Sequence, residues 1–404
     1  MDFRTLTKDE YLVFDVLQKH GPTTKKFILQ SLGWTMSTTN RALQPLLDRH
    51  FIREVGFEES SGGRPPILYD VIPEAACLLG IHISYGVTLV VLCDIRMHIL
   101  DQERLVLPLG LTGPEEVTKA VSNAADSLLT RAGISRSSVL GAGLAIIGPL
   151  HRDTGRTGQA MSFTGPVSAW CDVPIRDMLS QALDLPVIAD DSCSAGALAE
   201  YLYGNGRNCR SISYIVCEVG IISGQITGGH IVRRQDDHED GLSHLSLDAL
   251  GPACTCGKRG CVLQYASTTA IRDSILTRVR AGAPTLIPKE HWNENLFFHE
   301  YAEAAKLGDR TVIEELDLAG FRLGHALSNY IDLLTPDYLV LGGLLTSSFP
   351  YFYDSVLNTL KRCYGEDLGK KLRIVRSGSF GEATAALGAA AMYYEKIIGN
   401  PIMD

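Results

Sequence analysis

The residues of this chain best equipped for chemistry are His244, Cys254, Cys256 and Cys261. Three thiolates and an imidazole complete a closed tetrahedral shell around zinc, and Cys-x-Cys with a third cysteine five positions on is an improbable accident among ordinary buried thiols. Gly257 and Gly260 let the backbone turn tightly around such an ion. A closed shell leaves no position for water, so the role expected of Zn2+ is structural. His238, inside the acidic run Asp236 to Asp240, competes with His244 for the fourth position.

A second group points to nucleic acid. Ser37, Thr38, Thr39, Asn40 and Arg41 open a helix that continues to Arg49 with Leu43, Leu46 and Leu47 on its apolar face and Pro45 as an expected kink. A helix over Glu10 to Lys19 ends at His20-Gly21-Pro22, and a short helix from Thr23 or Thr24, carrying Phe27, Ile28 and Leu32, breaks at Gly33. Two helices joined by a tight glycine-containing turn make a helix-turn-helix. Phe51 to Val55 and Ile67 to Val71 read as strands around a polar wing tip, Glu58 to Pro66. Such a module lays its second helix in the major groove, where Ser37 to Arg41 suit phosphates and base edges, while Arg64 on the Gly-Gly tip reaches an adjacent minor groove. The expected partner is a double-stranded, palindromic operator. A protein-interaction role is the alternative, favoured by nine Lys/Arg against nine Asp/Glu over residues 1–70.

The elements that must hold these groups follow from length and pattern. At roughly 100–200 residues per domain, 404 residues make two to four domains. A content of 45% hydrophobic and 21% charged residues supplies several cores and excludes a disordered chain. The net charge of −9 excludes broad, nonspecific nucleic-acid binding but not a small reading module. The longest apolar stretch, Leu78 to Leu100, is interrupted by His82, Asp94 and Arg96, and Met1-Asp2-Phe3-Arg4 has no apolar signal core. The expectation is an unexported protein of the reducing cytoplasm with no membrane contact, in which Cys77, Cys93, Cys193 and Cys217 are buried small residues.

After Pro73 strands and helices alternate, which implies α/β architecture. Strands are expected at residues 78–83, 88–94, 139–147, 186–189, 213–219 and 338–341, and helices at 114–132, 175–182, 192–203, 264–281, 299–307, 309–334, 352–364 and 382–398. No close internal repeat is visible, although two stretches each run from a strand into a glycine-containing turn, at Gly80 and at Ser213 to Gly224.

Taken together, the Gly62-Gly63-Arg64-Pro65 wing, the run from His244 through Cys254-Thr-Cys256-Gly-Lys-Arg-Gly-Cys261 to Tyr265-Ala-Ser267, Pro336 to Gly343 and Gly388 to Ala391 resemble the ROK family of repressors, open reading frames and kinases. The resemblance implies an α/β actin/hexokinase-like two-lobed body preceded by a winged helix-turn-helix. Its domains are expected at 1–72 for DNA binding, at 73–191 for the first lobe with 382–404 returning to it, and at 192–381 for a second lobe holding the zinc site and the oligomerisation surface. It further implies a sugar or sugar-phosphate effector, a homodimer or homotetramer, and regulation of carbohydrate-related genes, with repression the expected sign.

Departures from the family pattern argue against phosphoryl transfer, and no ATP is expected. Where family kinases carry an acid and a phosphate-cradling glycine loop, this chain reads Gly80-Ile81-His82-Ile83-Ser84-Tyr85-Gly86. The second phosphate loop reads Glu218 to Gly224, and Glu218 would repel phosphate. Gly148, Asp190, Asp191 and His244 are the expected effector contacts, Asp191 matching the family's catalytic aspartate, which takes a proton from a sugar hydroxyl; its other reading is the cap of the helix from Ser192. Gly241, Leu263 and Pro166 stand where sugar-binding side chains are usual, which leaves either an unusual ligand or a vestigial site. Trp170 and Gly148-Pro149 keep family-like places. A divergent sugar kinase with a DNA-binding appendage and a ligand-free scaffold are the competing readings.

Overall fold

The computed structural model describes residues 3–59, 65–107, 112–158, 167–233, 241–293, 296–399 and 401–403. The chain divides into two compact units, one of residues 1–203 with 382–404 and one of residues 204–381.

The first unit begins with a module of three helices and three short strands: α1 (Lys8–His20), β1 (Thr23–Thr24), α2 (Lys25–Leu32), α3 (Met36–Asp48), β2 (Ile52–Phe57) and β3 (Ile67–Val71). Each helix starts on a threonine whose side chain accepts an otherwise orphan amide. Thr7 does so for α1 in a reciprocal box with Glu10, Thr24 for α2 and Thr35 for α3. α2 ends on Gly33 in the left-handed region, where a side chain is unfavourable. α3 runs through Pro45 without a break. The strands form an antiparallel sheet in the order β1-β3-β2, and Phe3, Phe14 and Phe51 meet edge to face beneath it at 4.8–6.4 Å.

The body of this unit contains β4 (Cys77–Ile83), β5 (Val87–Asp94), β6 (Ile99–Val106), α4 (Pro114–Ala132), β7 (Val139–Ile146), a short hairpin of β8 (Leu150–His151) and β9 (Arg156–Thr157), α5 (Ile175–Leu183), β10 (Val187–Asp191) and α6 (Ser192–Leu202). Its sheet has the order β10-β7-β4-β5-β6, with β4, β7 and β10 parallel and β5 and β6 antiparallel. One face buries Leu79, Ile81, Leu92 and Leu144 against Val117, Val121 and Leu128 of α4 and Leu179 of α5.

The second unit contains β11 (Ser211–Cys217), β12 (Ile221–Thr227), β13 (His230–Ile231), α7 (Leu263–Ala266), α8 (Thr268–Arg280), α9 (Phe298–Lys306), α10 (Arg310–Leu334), β14 (Tyr338–Gly342), α11 (Leu344–Ser348), α12 (Pro350–Tyr364), α13 (Leu368–Lys371) and β15 (Arg373–Arg376). Its sheet runs β13-β12-β11-β14-β15, with β11, β14 and β15 parallel. The expected phosphate loop from Glu218 to Gly224 is largely strand: only the tip is a turn, because Ile221 onward pairs antiparallel with β11.

The chain then returns to the first unit as α14 (Thr384–Ile397). α14 lies so close to the sheet that a Cβ on Gly80 or Gly143 would come within 2.0 or 1.8 Å of the Ala386 or Ala389 carbonyl oxygen. Gly388 approaches Ala195 of α6 as closely. This packing puts α6 in the first unit, whereas the sequence reading places it at the start of the second lobe.

Candidate functional site

Residues 244–262 of the second unit fold into a tight knuckle. Cys254 N–H donates to Lys258 O (2.9 Å), Gly257 N–H to Cys254 O (3.0 Å) and Gly260 N–H to Pro252 O (2.8 Å). Gly257 and Gly260 take φ of +87° and +61°, and a Cβ on Gly260 would fall 1.9 Å from Asp248 O, so the turn demands glycine there. The knuckle is tied back by Leu247 N–H to Gly260 O (2.8 Å) and Val262 N–H to Leu245 O (3.0 Å). The result brings one donor atom each from His244, Cys254, Cys256 and Cys261 within 4.8 Å of one another. Cys254 Sγ lies 3.5 Å from His244 Nδ1, and Cys256 Sγ lies 3.6 Å from Cys261 Sγ.

The electrostatics of the group favour a cation. Burial pushes the Cys254 thiol up, but the Cys256 amide and the side chains of Cys256, Gln264 and Cys261 outweigh it and bring it down to about 6. Cys261 moves the other way, to about 12, through burial and its two sulfur neighbours. Three thiols this close cannot all ionise unless a positive charge sits among them, so the donor set fits a metal ion. His238, the competing ligand, lies outside the described residues.

On α3 the predicted contacts separate into two classes. Ser37, Asn40 and Arg41 are exposed, the Arg41 side chain at 76%. Thr38 is half-buried, its hydroxyl 3.1 Å from that of Thr35. Thr39 is a correction: it is fully buried and its hydroxyl donates to Thr35 O at 3.0 Å, so it packs α3 and presents nothing to a groove. The sequence reading missed Gln44, which is exposed and continues the face of Ser37, Asn40 and Arg41 at the helical spacing that identifies it. Arg64 lies outside the described residues.

The expected effector contacts fall in both units: Gly148, Asp190 and Asp191 in the first, His244 in the second. Gly148 has φ of +99° just after β7. Asp190 is buried and Oδ1 accepts from Asp191 N–H (2.9 Å). Asp191 caps α6, its Oδ1 accepting from the amides of Cys193 (3.0 Å) and Ser194 (2.8 Å). At the end of β4, burial pulls the His82 imidazole down to about 4, and its Nε2 has no hydrogen-bond partner among the described residues. Trp170 belongs to the core and donates from Nε1 to Thr112 O (3.0 Å). In the second unit Glu218 Oε1 accepts from Leu344 N–H (3.3 Å) at the start of α11.

The ROK family model matches residues 79–396. The chain belongs to the ROK family. The xylose repressor of Bacillus spizizenii is 25% identical over 391 residues, covering 96% of each chain. A solved ROK family transcriptional regulator, homologous to the E. coli Mlc protein, has a TM-score of 0.77 at 20% identity and covers 98% of both chains. The ROK hexokinase of Thermus thermophilus has a TM-score of 0.64 at 24% identity, covering 80% of this chain and 100% of its own. The body therefore has the α/β actin/hexokinase-like fold common to ROK regulators and ROK kinases, and the family match begins after the N-terminal module. Among the described residues no helix is long and apolar enough to cross a membrane.

Proposed function

We propose that this protein is a sugar-responsive DNA-binding transcriptional repressor of carbohydrate-related genes, reading its operator through α3 and stabilised by zinc in the knuckle. The observation that carries the reading is the module ahead of β4. Repressor and regulator relatives match this chain from end to end, whereas four-fifths of it accounts for the whole hexokinase. That module offers Ser37, Asn40, Arg41 and Gln44 on one exposed helix face.

His244, Cys254, Cys256 and Cys261 would hold the ion, and a closed Cys3His shell supplies folding energy and no reactive water. The knuckle feeds directly into α7 and α8, so its order sets where those helices begin. Phosphoryl transfer is disfavoured on charge. The Glu218 carboxylate occupies the amide at the start of α11, where an anionic phosphate would have to compete with it, and His82 replaces the acid expected of a kinase. Asp190, Asp191 and Gly148 remain the first-unit candidates for effector contact. A homodimer or homotetramer on a palindromic operator, in the cytoplasm, completes the reading.

Isothermal titration with xylose, other free sugars and sugar phosphates, paired with an ATP-turnover assay, tests it. Heat from one sugar class without turnover is the expected result; ATP turnover with a sugar would replace the repressor by a divergent kinase.

A further inference from the structure

The N-terminal module does not hang from a tether. β3 ends at Val71 and β4 starts at Cys77, and the residues between are bonded on both sides: Ile72 N–H donates to Phe51 O (3.1 Å), and Ile95 N–H donates to Pro73 O (3.3 Å). The far end of α1 is then held by charge. Lys19 Nζ lies 2.9 Å from Asp15 one turn back and 3.0 Å from Glu395 Oε2 on α14, whose side chain is wholly buried. Gln18, 2% exposed, donates from Nε2 to Ile95 O (3.0 Å) and lies 3.2 Å from the Tyr203 hydroxyl. Arg96 donates to Gln18 O (3.2 Å) and pairs with Asp70 of β3.

Ions taken out of water are poor sources of net stability, because desolvation offsets their attraction, but removing one partner strands the other as a buried, uncompensated charge and is strongly destabilising. Burial works against the charge on Lys19, yet Glu395 and Asp15 hold its pKa above the ordinary lysine value, so the cation persists. The anchors themselves are informative. Tyr203 is the last residue before the chain passes into the second unit, and α14 is the helix that follows its return. Ala195 lies against Gly388, and the Tyr203 phenol feels the Glu395 charge, so α6 and α14 run side by side with both C-terminal ends beside α1.

We infer that Gln18, Lys19 and Glu395 form a transmission joint, through which the helices bordering both chain crossings set the orientation of the DNA-reading module. The inference rests on the DNA-binding reading above. The three are positioning residues: their work is to fix the direction of α1, and through it α3. Two modules that engage a palindrome together need a fixed spacing, whereas one module on one half-site does not.

The test uses the full-length protein as wild type, Lys19→Met, Gln18→Leu and the exchange Lys19→Glu with Glu395→Lys, the exchange made together with Asp15→Asn because the Asp15 carboxylate beside position 19 would repel a second acid there. Amide hydrogen exchange is followed, together with affinity for a palindromic duplex from the DNA flanking the gene and for a duplex carrying one half of it. In Lys19→Met, exchange in α1 and β3 is expected to rise about tenfold or more while β4 and β7 hold, and the palindrome-to-half-site affinity ratio to fall by about tenfold. The charge exchange is expected to restore both. Should Lys19→Met fail to fold, Gln18→Leu reads the same quantities without leaving a charge unpaired. Unchanged exchange in the variants overturns the joint, and a loosened module with an unchanged ratio overturns its transmitting role. Wild-type protein that shows no specific DNA binding counts against the repressor reading, and the exchange arm still decides whether the joint holds the module.

Discussion

The two five-stranded sheets of this protein are built to one plan. In each, three antiparallel strands form a meander, and two later strands lie parallel to the first, giving the spatial order third, second, first, fourth, fifth. What hangs on that plan differs. The first unit carries the helical module ahead of its first strand, and the second carries the Cys/His knuckle after its third. The polar groups at the strand ends have turned inward in both: Asp191 caps α6, and Glu218 meets the amide of Leu344. A shared scaffold does not carry a shared chemistry; function resides in what is grafted onto it.

The strongest way to break this contrast is to remove a graft. Cys261→Ser is expected to lower zinc from about one ion per chain to near none and to destabilise the second unit by several kcal/mol, on the order seen when a structural metal is lost. Metal analysis with hydrogen exchange checks it; protection lost from the knuckle through α8 but kept in β4 and β7 is the predicted pattern. Unchanged metal content would remove the knuckle from the account.

In the other graft, Asn40→Ala or Arg41→Ala is expected to weaken operator binding by about 1–3 kcal/mol without lowering thermal stability. Thr39→Val should do the reverse, costing about 1 kcal/mol of stability through the lost bond to Thr35 O and leaving the DNA contacts in place. Paired melting and DNA titrations separate the two, and a Thr39→Val effect on affinity alone would return Thr39 to the groove. At the shared strand ends, Asp191→Ala is expected to cost about 1 kcal/mol as a lost helix cap.

A further effect concerns pH. His82 is held neutral by burial, with its pKa pulled down to about 4. The unfolded chain takes up that proton first, near the ordinary value of about 6.5, so stability is full above that pH and declines as pH falls toward 4. His82→Leu is expected to flatten this part of the pH-stability curve, and an unaltered curve would show that other groups make it.

Much of this was legible because it is local. The strand Ile67–Val71 and the helix Pro114–Ala132 coincide with their expected limits, since turn residues and caps bound them on both sides. The knuckle donors lie within 18 residues, so their spacing alone draws them together. β6 and β15 escaped because an edge strand with no fully buried position has no apolar run to betray it. β12 was hidden by Ser223-Gly224-Gln225, which reads as loop until β11 pairs with it. The common plan of the two five-stranded sheets leaves little trace in residue identity beyond the strand and glycine-containing turn at Gly80 and at Ser213 to Gly224, because a strand order needs only pattern. The joint was illegible for a plainer reason: Lys19 and Glu395 are 376 positions apart, and neither belongs to a motif.

The proposed repressor function stands or falls on whether the module ahead of β4 reads DNA. The most direct measurement is binding of the purified protein to labelled duplexes from the DNA flanking its own gene, at several salt concentrations, against scrambled competitor. The expected result is a complex that weakens steeply with salt and exceeds scrambled DNA by roughly 10³-fold or more, as specific regulators do. Equal binding to both duplexes, or none, would contradict it.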